Sequence, residues 1–156
     1  MDKATLLSGI LAALEADMEV LRRAAQTAYE TATAEENIAE NKYDTLGLEA
    51  SYLATGQARR TAEIRQALLT YQQLLLRDYD PARGVQVSNL VTLEDEDGGQ
   101  RLLFLGPEAA GLKIGEGDGL VTVITPRSPL GQLLVGKKID DEVSLGAQVF
   151  FVIAVA

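Results

Sequence analysis

Six carboxylates and one base occupy the stretch from Ala24 to Ala58: Glu30, Glu35, Glu36, Glu40, Asp44 and Glu49 against Lys42. Carboxylate oxygens are hard ligands that suit Mg²⁺, and an ionised carboxylate can take a proton from an attacking water. Acidic turns are also common solvated ends, so composition alone leaves both readings open. Placement adds something. Glu35 and Glu36 fall near the expected C-terminus of a helix, where the dipole disfavours negative charge. A purely structural optimum would put Lys or Arg there.

A second cluster is basic. Arg22 and Arg23 lie level with Arg60 and Arg59 if two helices flanking the acidic stretch fold back on each other. Four arginines would then form a collar behind the acidic end and could contact a nucleic-acid backbone. Ordinary surface pairs are the competing explanation. Glu19 precedes Arg23 by four residues, and Glu63 follows Arg59 by four.

Other chemistries are excluded by composition. The chain has no Cys and no His, so thiol catalysis, disulfides, Cys/His zinc sites and Ser-His-Asp catalysis are ruled out. The Gly-rich run 115–119 lacks the Lys-Ser/Thr of a phosphate loop and the spacing of a calcium loop, so it reads as a turn. Asp140, Asp141 and Glu142 read as another.

The elements that would carry these clusters are periodic. A 3-4 repeat runs through Ala4, Leu7, Leu11, Leu14, Met18, Leu21, Ala25, Ala28 and Ala32. A second runs through Ala50, Ala54, Gln57, Thr61, Ile64, Leu68, Tyr71 and Leu75. Such spacing is that of a coiled-coil seam. Antiparallel folding pairs Ala32 with Ala50, Ala28 with Ala54, Leu21 with Thr61, Leu14 with Leu68 and Leu7 with Leu75. Large residues meet at the base and small ones at the tip, which predicts a thin, acidic far end. At about 1.5 Å per residue the rod would be roughly 50 Å long. We expect helices over 3–37 and 44–76.

Pro81 and Gly84 end the helical pattern. Beyond them the hydrophobic period changes to two. Strands are expected at 85–92, 101–105, 120–125, 142–145 and 148–155, with polar turns at 94–99 and 115–119. Ser128-Pro129 before Leu130 predicts a short helix with Ser128 as N-cap and Pro129 at its first position. The expected fold class is α+β: an antiparallel coiled-coil hairpin over 1–78, then a small β-rich domain over 84–156.

The 156 residues carry a formal net charge of -9. That argues against free-standing nucleic-acid binding, though not against a protein partner that holds nucleic acid. The N-terminus lacks a signal-peptide pattern and no segment could span a membrane, so a cytoplasmic, membrane-free monomer is expected.

Residues 85–156 resemble the C-terminal domain of the bacterial Gre transcription elongation factors. The segments that carry this are Val-Thr-Leu-Glu at 91–94, Leu-Gly-Pro-Glu at 105–108, and Ser-Pro-Leu-Gly-Gln-Leu-Leu-Val-Gly-Lys-Lys-Ile-Asp-Asp-Glu-Val at 128–143. In that family an antiparallel coiled coil precedes a domain of FK506-binding-protein-like fold. The resemblance implies docking at the rim of the secondary channel of RNA polymerase, through Arg127, Ser128 and Pro129. It implies that the coiled coil reaches the active site, where tip acids share a Mg²⁺ with the polymerase and promote cleavage of backtracked RNA. Arg22, Arg23, Arg59 and Arg60 would then face the nascent RNA.

The tip departs from the family pattern. Glu40-Asn41 matches the family's Glu-Asn pair, with Ala39 in place of the usual Ser, but the Asp three residues earlier is Asn37. An amide is a neutral, weaker oxygen ligand. Glu36 and Asp44 are near enough in sequence to assist Glu40, the leading catalytic and metal-directed candidate. Arg127 stands where Asn or Asp is usual. The expected function is an accessory factor, not itself an enzyme and with no cofactor of its own, that stimulates transcript cleavage. The alternative is a related factor that occupies the channel without promoting cleavage. A prolyl isomerase is a remote third reading, because such a site needs an aromatic-lined pocket and the C-terminal half offers only Phe104, Phe150 and Phe151.

Overall fold

Helix α1 spans Lys3–Thr33 and helix α2 spans Leu46–Gln72. The structure, a computed structural model, describes the backbone of residues 1–33 and 46–156 and the side chains of 1–31 and 56–156. Asp2 starts α1. Its carboxylate accepts the Thr5 amide at 2.7 Å, satisfying a donor that a helix start leaves free, and its carbonyl accepts the Leu6 amide at 3.0 Å in the first helical bond. The Thr5 amide also holds the Asp2 carboxyl below its usual range. No described helix is long and apolar enough to cross a membrane.

The chain forms two compact units. One comprises Leu11–Leu69; the other comprises Met1–Ile10 together with Thr70–Ala156. In the first unit Leu14, Ala28, Ile64, Ala67 and Leu68 are buried, mostly at the expected seam positions. Val20 and Tyr29 face outward. The expected layers Ala32–Ala50 and Ala28–Ala54 involve side chains outside the described residues, as does the turn that would make the thin tip.

At the base, burial departs from the heptad. Helix α2 stops at Gln72, and Leu75 is 71% exposed rather than paired with Leu7. Leu6 and Ile10, which are off the expected seam, are completely buried, as is the seam residue Tyr71. The reason lies in the second unit, where the helix ends pack on a sheet. A Cβ on Gly9 would lie 2.8 Å from Ile114 Cγ2, so the helix sits close against that strand. The Tyr71 hydroxyl donates to the Glu108 carbonyl at 2.6 Å, and burial pushes the phenol pKa up. Gly106 is the residue that leaves room for this ring: an added Cβ would lie 2.1 Å from the Tyr71 oxygen.

The sheet has six strands: β1 Leu90–Asp95, β2 Gln100–Leu105, β3 Lys113–Ile114, β4 Val121–Ile124, β5 Glu142–Leu145 and β6 Gln148–Val155. Their order is β3-β4-β2-β1-β6-β5. Only β2 and β4 run parallel, with Leu103 opposite Thr122; the other pairs are antiparallel. One face buries Val91, Leu93, Leu103, Leu105, Val143, Phe150 and Val152 in a single core with Val85, Ile124 and Leu134. Burying each such side chain stabilises the fold by roughly 1.5–3 kcal/mol. Helix α3, Pro129–Leu134, covers part of this face.

Two expectations change. Residues 85–89 do not continue β1. The Asn89 carboxamide oxygen accepts the Gln86 amide at 2.7 Å, and Ser88 adopts φ +81°, which turns the chain sharply. Strand β3 was not expected, because two residues carry no readable alternation.

Candidate functional site

The acidic candidates Glu36, Glu40 and Asp44, and the motif residues Asn37 and Asn41, lie outside the described residues. Among the described residues no cluster of three or more acids could hold a metal. Glu30, at the near end of the acidic stretch, accepts a hydrogen bond from Gln26 Nε2 at 2.9 Å.

The arginine collar is tied to its own helices. Arg22 donates through Nε and Nη2 to the two oxygens of Glu19 at 3.0 and 2.8 Å, and Arg23 Nε reaches the same carboxylate at 3.0 Å. These hydrogen bonds, Arg22 first, lower the Glu19 pKa to about 2. On α2 it is Arg60, not Arg59, that meets Glu63, at 3.3 Å. Arg59 has no ion pair among the described residues. All three paired arginines remain exposed, so solvent and salt screen their pairs and each contributes little to stability. An incoming phosphate could exchange with Glu19 or Glu63 at little cost. Arg22 also borders a cleft of about 450 Å³ with Met18, Ala25, Ala58, Thr61 and Arg65. Arg65 was not among the expected collar residues; its i+4 relation to Thr61 on the seam was the available signal.

The expected docking loop is well built. Ser128 caps α3: its hydroxyl oxygen accepts the Gly131 amide at 3.3 Å and the Thr125 amide at 3.2 Å, while its proton goes to the Thr125 carbonyl at 2.7 Å. Pro129 occupies the first turn, where its missing N–H costs nothing. Gly131 allows the turn to close, since an added Cβ would lie 1.8 Å from the Thr125 oxygen. Beyond α3, Val85 and Lys137 exchange contact through the Val85 amide and the Lys137 carbonyl at 2.8 Å. Asp140 N donates to the Val152 carbonyl at 2.7 Å, locking residues 128–143 onto the sheet.

Ser128 is thus half-buried and fully engaged, whereas Arg127 projects from the loop. Its guanidinium meets Glu108 at 3.1 Å with the side chain 74% exposed. Sequence reading missed Glu108 as the residue that steers Arg127. The two are nineteen positions apart and meet only through the sheet.

A cavity of about 710 Å³ on the sheet, bordered by Arg101, Leu103, Lys113, Thr122 and Leu130, has no aromatic residue in its lining.

No sequence-family description matches this chain, and no curated protein matches it. Solved structures do. The chain is similar to GreA factor homolog 1 (Gfh1) of Thermus thermophilus, with 21% identity over 94% of each chain and a TM-score of 0.40. It is similar to a structure described as the transcription factor Gfh1, with 20% identity, 94% and 93% of the two chains covered, and a TM-score of 0.38. Thermus aquaticus Gfh1 is similar at 19% identity, with the same coverage and a TM-score of 0.37.

Proposed function

We propose that this chain is a Gre-like transcription factor that binds RNA polymerase. It docks its β-rich part at the rim of the secondary channel and directs the acidic residues near Glu40 toward the active site. The supporting observation is the stretch 128–143. It carries the specific family resemblance, and it folds as one piece whose cap, turn and return strand hold Arg127 at the surface. Glu40, assisted by Glu36 or Asp44, would complete a Mg²⁺ site with the polymerase's own acids. It would not hold the ion alone, because Mg²⁺ dehydrates reluctantly and needs several oxygen ligands. Arg22, Arg23, Arg59 and Arg60 would contact the RNA by exchanging their carboxylate partners for phosphates.

Asn37 supports a second reading, in which the factor occupies the channel and modulates the polymerase without promoting cleavage. Adding the full chain to stalled, backtracked elongation complexes and following RNA 3′-end shortening separates the two. Cleavage that is lost in Glu40→Gln supports the first. Absence of cleavage that Asn37→Asp restores supports the second. Failure of the full chain to bind core polymerase at all would refute both.

A further inference from the structure

The sheet has a second face, opposite the core. Pairing register puts Ile114, Val121, Leu102 and Thr92 in one row across it. Gln100, Glu94, Phe151 and Glu142 form the next row, because residues two apart on a strand share a face. Helix α1 covers the β3 side of this face, where Gly9 lies against Ile114 and Val121 is completely buried. That cover gives out toward β6. Of the large apolar residues in the six strands, only Phe151 and Ile153 are exposed, at 38% and 36%. Ile153 is the residue that the irregular β1–β6 register leaves without a partner, whereas Phe151 is paired on both sides.

The row through Phe151 is charged in one sense. Glu94 on β1 and Glu142 on β5 stand directly opposite Phe151, one on either side. With strands about 4.8 Å apart, Phe151 lies midway between two acidic positions about 10 Å apart. Neither acid has an ion pair among the described residues. Glu94 accepts one hydrogen bond, from Gln100 Nε2 at 3.3 Å. The neighbouring positions Thr92, Ser144 and Val149 are uncharged, and the turn from β1 to β2 adds Glu96 and Asp97, both exposed. Charges on an edge strand discourage sheet-to-sheet pairing, which accounts for Glu142 on β5. The same reason does not reach Glu94, because β1 lies inside the sheet between β2 and β6. An exposed ring with a carboxylate on each side is complementary to a cation.

We propose that this face docks a protein partner that lays an arginine over the Phe151 ring, between Glu94 and Glu142. A planar guanidinium stacks on an aromatic face and still directs N–H groups outward to carboxylates on both sides. A lysine ammonium is a compact, strongly hydrated charge and gains less from the same ring. The acids repel phosphate-rich surfaces, which selects a basic protein over nucleic acid or an anionic membrane. The inference does not depend on the polymerase reading.

The test uses the full chain and a hexa-arginine peptide as the probe, with hexa-lysine as a control of equal charge. The acidic stretch around Glu40 attracts both peptides alike, so the difference between them reports the ring. NMR titration should show hexa-arginine binding about threefold to fivefold more tightly, the scale of one exposed cation–π contact. Its amide shifts should fall at 92–94, 142–144 and 149–153. Phe151→Leu keeps an apolar strand residue and removes only the ring, so it should abolish the preference for arginine. Glu142→Gln leaves the ring in place and should weaken hexa-arginine binding about threefold. Both side chains are exposed, so neither variant opens the core. Equal affinity for the two peptides, a preference that survives Phe151→Leu, or shifts confined to 30–49 would each overturn the proposal.

Discussion

Replacing Ser128 by alanine separates a structural role from a docking role. The hydroxyl makes three hydrogen bonds, to Gly131 N, Thr125 N and Thr125 O, at 3.3, 3.2 and 2.7 Å. Loss of an N-cap costs about 1 kcal/mol. Thr125 is only 3% exposed, so its amide and carbonyl lose a partner that water cannot readily replace. Stranding a buried group of this kind adds about 1–3 kcal/mol. The carbonyl keeps a second bond from the Ser128 amide at 3.0 Å, which limits the loss. A total of about 2 kcal/mol follows, taking the lower end of each cost. With a urea m-value of about 2 kcal/mol/M, the unfolding midpoint of the Tyr71-containing unit should fall by about 1 M. Near-ultraviolet circular dichroism of the tyrosines reads this transition in a protein without tryptophan. A midpoint unchanged to within about 0.2 M would show that Ser128 is not holding the loop. If polymerase binding fell while stability stayed, Ser128 would be a direct contact and the capping argument would be wrong.

Gly106→Ala should destabilise the same unit by about 1–3 kcal/mol through overpacking against Tyr71, measured by urea unfolding. Because the crowding is with the hydroxyl, Tyr71→Phe should cost less in the Gly106→Ala background than in the native one; a purely additive double variant would contradict this. Glu19 has its folded pKa depressed to about 2 by Arg22 and Arg23, so its contribution is present above the unfolded value near 4.5 and is lost as pH falls toward 2. Carboxyl NMR should find that low titration, and Arg22→Gln should move it up toward 4.5; no movement would mean that Arg23 suffices. Arg127→Glu should leave the unfolding free energy within about 0.5 kcal/mol, since its pair with Glu108 is exposed, and should abolish binding to core polymerase.

Much of the fold follows from local pattern. The two helices are legible because apolar residues recur every three and four positions, and the short helix α3 because Ser128-Pro129 is a capping signal that acts within one turn. Alternation marks the buried face of β6, where Phe150 and Val152 are buried and Phe151 and Ile153 exposed, whereas β2 buries Leu103, Phe104 and Leu105 in succession because both its faces are covered. The candidate chemistry was legible in the same way: a one-sided run of carboxylates needs only residue types, and the 128–143 signature only their order. Tertiary structure decided what depends on residues far apart in the chain. Leu6 and Ile10 are buried while Leu75 is exposed because the sheet, not the partner helix, covers the helix ends. Strand β1 begins at Leu90 because Ser88 and Asn89 turn the chain against Leu105. Arg127 is aimed by Glu108, nineteen positions earlier in the chain. Heptads, caps and alternation act within a few residues, so sequence carries them. Which surfaces meet is set by packing that no short window contains.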